Sequence, residues 1–327
     1  MTGEEALLAR LAAALGEVSG GAEVELGIGD DCAVLRSPAS RLVWTVDAQV
    51  DEVHFRRDWL SYADIGYRAF AAAASDVVAM GATPIAALAA LTLDPRTTEA
   101  DVEALARGQR DASREASAPV IGGNLSRGAT LSVTTTVLGR AEAPVRREGA
   151  RPGDLVWATG PLGLARLGLL SYMREIAGET LEAARRAFRR PRVRYDLAGP
   201  LRGATAAIDV SDGLALDASR LAARSGVRLV LDAEALLACG GPVLEAAARR
   251  LGEDPLEAAL RGGEDYVVVA CAPGPLLGAG GAPLAGLVAI GRVEAGAGVA
   301  LVVGGREREV EPAGYDHVRP GGADRDR

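Results

Sequence analysis

The sequence contains no lysine: all 36 basic residues are arginine. With alanine and glycine so abundant, this reads as genome composition rather than function. The chemical consequence holds regardless. The chain can form no lysine Schiff base, use no lysine general base and carry no P-loop lysine. Cysteine is scarce as well. Cys32, Cys239 and Cys271 lie far apart, in no CxxC or Cys/His spacing, which argues against a zinc site and for three small core residues. There is no excess of positive charge. The net charge is −8 and the pI about 5.1, so the basic face of a nucleic-acid binder is missing. No apolar run reaches the length of a membrane span. The start, Met1 to Leu15, carries Glu4, Glu5 and Arg10 and reads as an amphipathic helix rather than a signal peptide. A cytoplasmic protein is expected.

What is present suits a globular protein. The 327 residues allow one large domain or two ordinary ones, and 49% hydrophobic residues supply ample core. Short β-rich runs alternate with helical stretches. Leu42–Val46, Ile85–Leu93 and Leu131–Leu138 read as strands, and Ser61–Met80 as an alanine-rich helix. Thr98–Ala118 reads as an exposed helix, with Glu99, Asp101 and Glu103 early and Arg107, Arg110 and Arg114 late, as the helix dipole favours. Ala141–Pro152 is polar and proline-bearing, so a domain boundary is placed there, dividing the chain into 1–142 and 143–327. Beyond it, Asp154–Thr159, Ala206–Val210, Val227–Leu231 and Val267–Ala272 read as strands. Helices are expected up to about Phe188 and over Leu214–Ser225. Alternation in both halves implies an α/β or α+β protein of two domains. The tail after Pro320 is polar and expected to fray.

Four acidic clusters stand out. Asp30 and Asp31 follow the glycines of Gly27-Ile28-Gly29. Asp47 ends the strand segment Thr45-Val46-Asp47, where α/β proteins tend to place ligand groups. Asp76 follows Ser75 inside Phe70–Met80, an almost wholly apolar helix. A carboxylate there is costly unless it is paired, hydrogen-bonded or metal-bound, with Arg68 as the structural partner to weigh against a metal. In Ile208-Asp209-Val210-Ser211-Asp212-Gly213 a strand runs into two carboxylates with a hydroxyl between them, and Ser211 or Asp212 could also cap the next helix. Two paired-glycine segments, Ile121-Gly122-Gly123-Asn124 and Gly262-Gly263-Glu264-Asp265-Tyr266, each precede a strand, and their N–H groups could hold phosphate oxygens. Any one of these features is also an ordinary turn. Together, dispersed aspartates with no His/Cys set and no lysine fit several Mg2+ ions and a highly charged substrate such as a nucleoside triphosphate.

In this order, Gly27–Ala33, Thr45–Asp47 with Val53-His54-Phe55, Ser75–Ala82, Gly122-Gly123, Arg147–Asp154, Ile208–Leu214, Gly262–Tyr266 and Gly314–His317 resemble the thiamine-monophosphate kinases, over nearly the whole chain. The resemblance implies an α+β N-terminal domain whose sheet pairs across a homodimer, an α/β C-terminal domain, and ATP between them. It implies Mg2+ ions on Asp31, Thr45, Asp47, Asp76, Asp209 and Asp212, with Asp30 as an adjacent candidate. ATP would meet Gly122, Gly123, Arg147 and Ser211, and thiamine monophosphate would lie near His54, Glu264 and Tyr315. One position departs from the family pattern. Where the motif usually reads Gly-Gly-Asp-Thr, this chain has Asn124, a neutral oxygen ligand in place of a carboxylate. The implied reaction is ATP-dependent phosphorylation of thiamine monophosphate, with membranes and nucleic acids absent from the partners. The alternatives are another ATP-dependent reaction of the same superfamily and an inactive nucleotide-binding relative.

Overall fold

The computed structural model describes residues 24–26, 30–37, 40–278 and 281–315. The helix expected at Met1–Leu15, the glycines of the first acidic loop, His317 and the polar tail lie outside the described residues.

Two sheets organise the chain. The first contains β1 (Val24–Leu26), β2 (Ala33–Arg36), β3 (Arg41–Val50), β4 (Thr83–Leu93), β5 (Val120–Arg127) and β6 (Ser132–Ala141), in the order β1-β2-β3-β6-β4-β5. Helices α1 (Tyr62–Ala79) and α2 (Glu99–Glu115) belong to this half. Their starts are written locally. Ser61 caps α1 by accepting from the Asp64 N–H, and Thr98 with Asp101 forms a capping box on α2. The second sheet contains β7 (Leu155–Ala158), β8 (Ala206–Val210), β9 (Arg228–Asp232), β10 (Val267–Ala272), β11 (Val288–Glu294), β12 (Gly298–Val303) and β13 (Arg306–Glu309), in the order β13-β12-β9-β11-β7-β10-β8. Around it run α3 (Leu164–Met173), α4 (Glu179–Arg189), α5 (Leu214–Ser225), α6 (Ala233–Leu251) and α7 (Pro255–Arg261).

Helix α1 lies between the sheets. Its Phe70, Val77 and Val78 share one core with Val34 and Val43 of the first sheet and with Ala207, Val268 and Ala270 of the second. Because side chains alternate along a strand, the other face of β8 and β10 (Ile208, Val210, Val267, Val269) packs into a separate core against α3, α5 and α6. A helix covered on both sides is apolar nearly all round. That is why half of α1 is alanine and valine, and why a charge on it is conspicuous.

Two expectations need correcting. Asp47 does not end its strand but lies inside β3, which runs on to Val50. The Gly122-Gly123 segment does not precede a strand but forms the body of β5, the edge strand of the first sheet. Nearly all of β5 is exposed, so it lacks the buried alternation that marks a strand in sequence. Gly123 is required by close packing, since a Cβ there would stand 1.8 Å from the Ala89 carbonyl oxygen of β4.

Candidate active site

The acidic clusters meet at the middle of the molecule. Carboxylate oxygens of Asp31, Asp76 and Asp209 lie within 4.8 Å of one another. Each comes from a different element: Asp31 from the turn before β2, Asp76 from α1, Asp209 from β8 on the face turned toward α1. Hydroxyls hold two of them. Thr45 Oγ1 on β3 donates to Asp76 Oδ2 at 2.7 Å, and Ser75 Oγ donates to Asp209 Oδ2 at 2.7 Å. Burial pushes the Asp76 and Asp209 carboxyls well above their ordinary range, and the neighbouring aspartates push them further. Asp30 is raised for the same two reasons, burial first and the Asp31 charge second.

The nearby cation is Arg147. Its Nε donates to Asp31 Oδ1 at 3.2 Å, its Nη2 reaches the same oxygen, and its backbone N–H donates to Asp30 Oδ2 at 3.1 Å. Asp31 Oδ2 is buried and has no hydrogen-bond partner. An orphaned carboxylate oxygen beside the buried Asp209 and the half-buried Asp76 is an all-oxygen donor set with surplus negative charge. That set fits a hard divalent cation, and such an ion would reverse the upward pKa shifts.

The remaining candidates fall into two groups. Asp47 lies between Thr45 and Gln49 on the β3 face turned to α1, and its charge helps to raise Asp76. The 211–213 turn is tied to two other segments. The Glu264 N–H donates to Ser211 O at 2.7 Å and the Tyr315 N–H to Asp212 O at 3.1 Å. Gly263 is there for packing, since its Cβ would stand 2.5 Å from Ser211 O. Asp212 stands apart from the three-carboxylate cluster, ion-paired with Arg220 Nη1 at 2.6 Å. His54 sits in the turn after β3, its Nδ1 accepting from the Val50 N–H at 3.1 Å.

Asn124 is not brought to the cluster within one chain. Strand register puts Ala48, Thr134, Ala90 and Asn124 in a single row. Asn124 therefore faces the side of the sheet away from Thr45 and Asp47, three strands across, or about 14 Å from β3. Gly122 shares that outer face and Gly123 the inner one.

Two buried side chains have partners that the sequence does not indicate. Arg68, the structural alternative to a metal at Asp76, turns instead to Gln49 Oε1 (3.1 Å), the Phe188 carbonyl and Glu264 Oε2. Thr45 occupies Asp76 in its place. Asp217 is buried in α5 and accepts from the Asp212 and Gly213 N–H groups at 3.1 and 3.2 Å, so it shapes the 211–213 turn from below. A weaker form of the signal at Asp76 exists for Asp217, an acid on the apolar face of an amphipathic helix.

Comparison with known proteins places the chain in a family. Residues 29–141 match the model of "AIR synthase related protein, N-terminal domain", and 151–304 that of the corresponding C-terminal domain. Two relatives are more specific. The thiamine-monophosphate kinase of Mycobacterium tuberculosis is 36% identical over 285 residues, covering 86% of this chain and 83% of that protein. The thiamine-monophosphate kinase of Aquifex aeolicus is 36% identical over 293 residues, covering 89% and 92%. A solved structure described as AaThiL complexed with AMPPCP and TMP superposes with a TM-score of 0.85 at 32% identity, covering 96% of this chain and 97% of that one. The chain belongs to the thiamine-monophosphate kinase family within the AIR synthase related fold.

Proposed function

We propose that this protein transfers the γ-phosphoryl group of ATP to the phosphate of thiamine monophosphate, giving ADP and thiamine diphosphate. The observation that carries this reading is the convergence of Asp31, Asp76 and Asp209, with an unsatisfied oxygen, between the two sheets. Family membership supplies the acceptor.

The chemistry asks little of a base. A phosphate monoester has its second pKa near about 6, so the attacking oxygen is already mostly ionised at neutral pH. That oxygen forms a bond to Pγ while the bond to the β,γ-bridging oxygen breaks, and ADP leaves. The obstacle is bringing two anions together, so positioning and charge compensation do the catalysis. Bound Mg2+ would neutralise phosphate charge. Asp31, Asp76 and Asp209 would hold it, with Asp30, Thr45, Asp47 and Asp212 at the margins. In this reading Arg147 and Ser211 meet ATP beside the cluster, the Gly122-Gly123 strand would reach it only from a second subunit, and His54, Glu264 and Tyr315 lie on the acceptor side. In place of lysine, arginine and backbone N–H groups cover the remaining positive roles.

The same reading divides the chain at about residue 142 and has it work as a homodimer in the cytoplasm. Support for the dimer is the first sheet's uncovered face. Trp44, Val46 and Leu88 are exposed on it, and Ile121 and Leu125 are exposed on the edge strand β5. No helix among the described residues is long and apolar enough to cross a membrane. Incubation of the purified protein with ATP, Mg2+ and thiamine monophosphate tests the reaction. Thiamine diphosphate and ADP should appear in equal amounts, and their absence refutes the reading. Asn124 favours one rival, an inactive nucleotide-binding relative, for which ATP would bind without turnover on any acceptor.

A further inference from the structure

Arg68 is the largest fully buried side chain among the described residues. An arginine is rarely sunk completely unless its fork is matched by acceptors. Here three acceptors come from three elements. Nε donates to Gln49 Oε1 on β3 at 3.1 Å, Nη1 to the Phe188 carbonyl at the end of α4, and Nη2 to Glu264 Oε2. The guanidinium also lies over the Phe188 ring, 4.4 Å from its centroid, and 5.8 Å from that of Tyr266. Gln49 and Arg68 belong to the first half of the chain; Phe188, Glu264 and Tyr266 belong to the second.

Glu264 is held from every side but one. Its Oε2 takes both Arg68 and the Tyr266 hydroxyl, the latter at 2.7 Å. Its N–H bonds Ser211 O, and the Tyr266 N–H bonds Val210 O. Glu264 and Tyr266 both adopt positive φ, 71° and 51°, a region that side-chain-bearing residues occupy only when surroundings impose it. The side chain nevertheless keeps 25% of its surface open. A carboxylate fixed at one oxygen and open elsewhere is built to present charge, and the acceptor in the proposed reaction carries a permanent thiazolium cation.

We propose that Arg68 is a positioning residue for the acceptor: it locks Glu264 into the strained turn and joins that turn to the helix that carries Asp76. Two side-chain ties run between β3 and α1, Thr45 to Asp76 at the phosphoryl end and Gln49 to Arg68 at the acceptor end. They lie eight residues apart on α1, about 12 Å along its axis. Any change in where Glu264 sits is thereby referred to the same rigid helix that places the metal-binding carboxylate. The inference rests on the reaction proposed above.

The test compares wild type with Arg68→Met, Arg68→Lys and Tyr266→Phe. It uses steady-state kinetics on both substrates and calorimetric binding of thiamine monophosphate in the presence of AMPPCP. Arg68→Met should raise the acceptor KM and weaken acceptor binding by about tenfold, with the ATP KM moved by less than about twofold. Arg68→Lys keeps the charge without the fork and should fall between. Tyr266→Phe, which removes the hydroxyl that Glu264 and Gln49 share, should raise the acceptor KM about threefold; it decides the matter if Arg68→Met does not fold. Unchanged acceptor KM and binding in a folded variant, or equal losses for both substrates, overturn the inference alone. A wild-type enzyme that neither binds nor phosphorylates thiamine monophosphate overturns the functional reading and this inference with it.

Discussion

Helix α1 buries charge at two places, and the two are handled in opposite ways. Near its start Arg68 meets a carboxylate, an amide oxygen, a carbonyl and an aromatic face, and each of its three guanidinium nitrogens donates to a protein partner. Near its end Asp76 meets two more carboxylates, and hydroxyl donors with one arginine beside Asp31 fall short of the negative charge gathered there. A buried charge that the protein balances itself holds geometry. A buried charge that it leaves unbalanced is held for something else, here a cation. The contrast separates positioning machinery from ligand-binding machinery on a single helix.

The largest effect that would test this contrast is on activity. Asp76→Asn or Asp209→Asn should lower kcat/KM by at least about a hundredfold, because each removes a full charge and an anionic oxygen from the metal set. At the same time the metal-free protein should become more stable, since repulsion is relieved. Thermal unfolding in chelator is the measurement, and a destabilised Asp76→Asn protein would show that the cluster is balanced after all. Arg68→Met should behave in the reverse manner, losing about 3–5 kcal/mol of stability with or without Mg2+ because it strands Glu264 beside a buried site. Denaturant titration at fixed metal would check it.

The pH dependence of the metal-free protein comes next. Asp265 is buried and raised to about 7 by desolvation, despite accepting from the Gly163 and Ala165 N–H groups at 2.6 and 3.1 Å. Asp76, Asp209 and Asp217 shift in the same direction, burial being the leading cause. A carboxyl whose folded pKa exceeds its unfolded value binds more protons in the native state. Stability should therefore rise as pH falls from about 7 toward about 4, the unfolded value, and be lost in the opposite direction. Mg2+ should flatten the part of this slope that belongs to Asp76 and Asp209. Melting curves across that range, with and without Mg2+, read it out. The smallest effect is expected at Asn124. Standing three strands away on the outer face, Asn124→Asp should move the half-saturating Mg2+ concentration by less than about twofold. A tenfold fall would mean that the residue reaches a metal through a second subunit.

Much of the site was legible because its residues violate local expectation. Asp76 announces itself as an acid in an apolar helix, and Asp209 as an acid at the end of a fully buried strand. The strands β7, β8 and β10 were visible as compact apolar runs. Strand β5 was not, because an exposed edge has no buried face to impose a period. Helix α6 is interrupted by Gly240-Gly241-Pro242, α7 is only seven residues long and β13 is wholly charged, so none of them shows a clear period either. Gly263 and Gly123 were legible as special but not for the right cause. Both are glycine because another backbone presses on them, and a sequence does not say which backbone.

By itself the sequence determined the composition of the site: a lysine-free chain with aspartates in short turns and one carboxylate in an apolar helix. It determined the family as well, since those turns recur in a fixed order. Only the tertiary structure decided which aspartates share a centre. It set Asp31, Asp76 and Asp209 together, gave Asp212 to Arg220 and turned Asn124 to the far face. It also took Arg68 away from Asp76 and gave it to Glu264. These are choices among long-range partners, made by how two sheets close on one helix, and residues 133 and 196 positions apart in the chain leave no mark of such choices in local sequence.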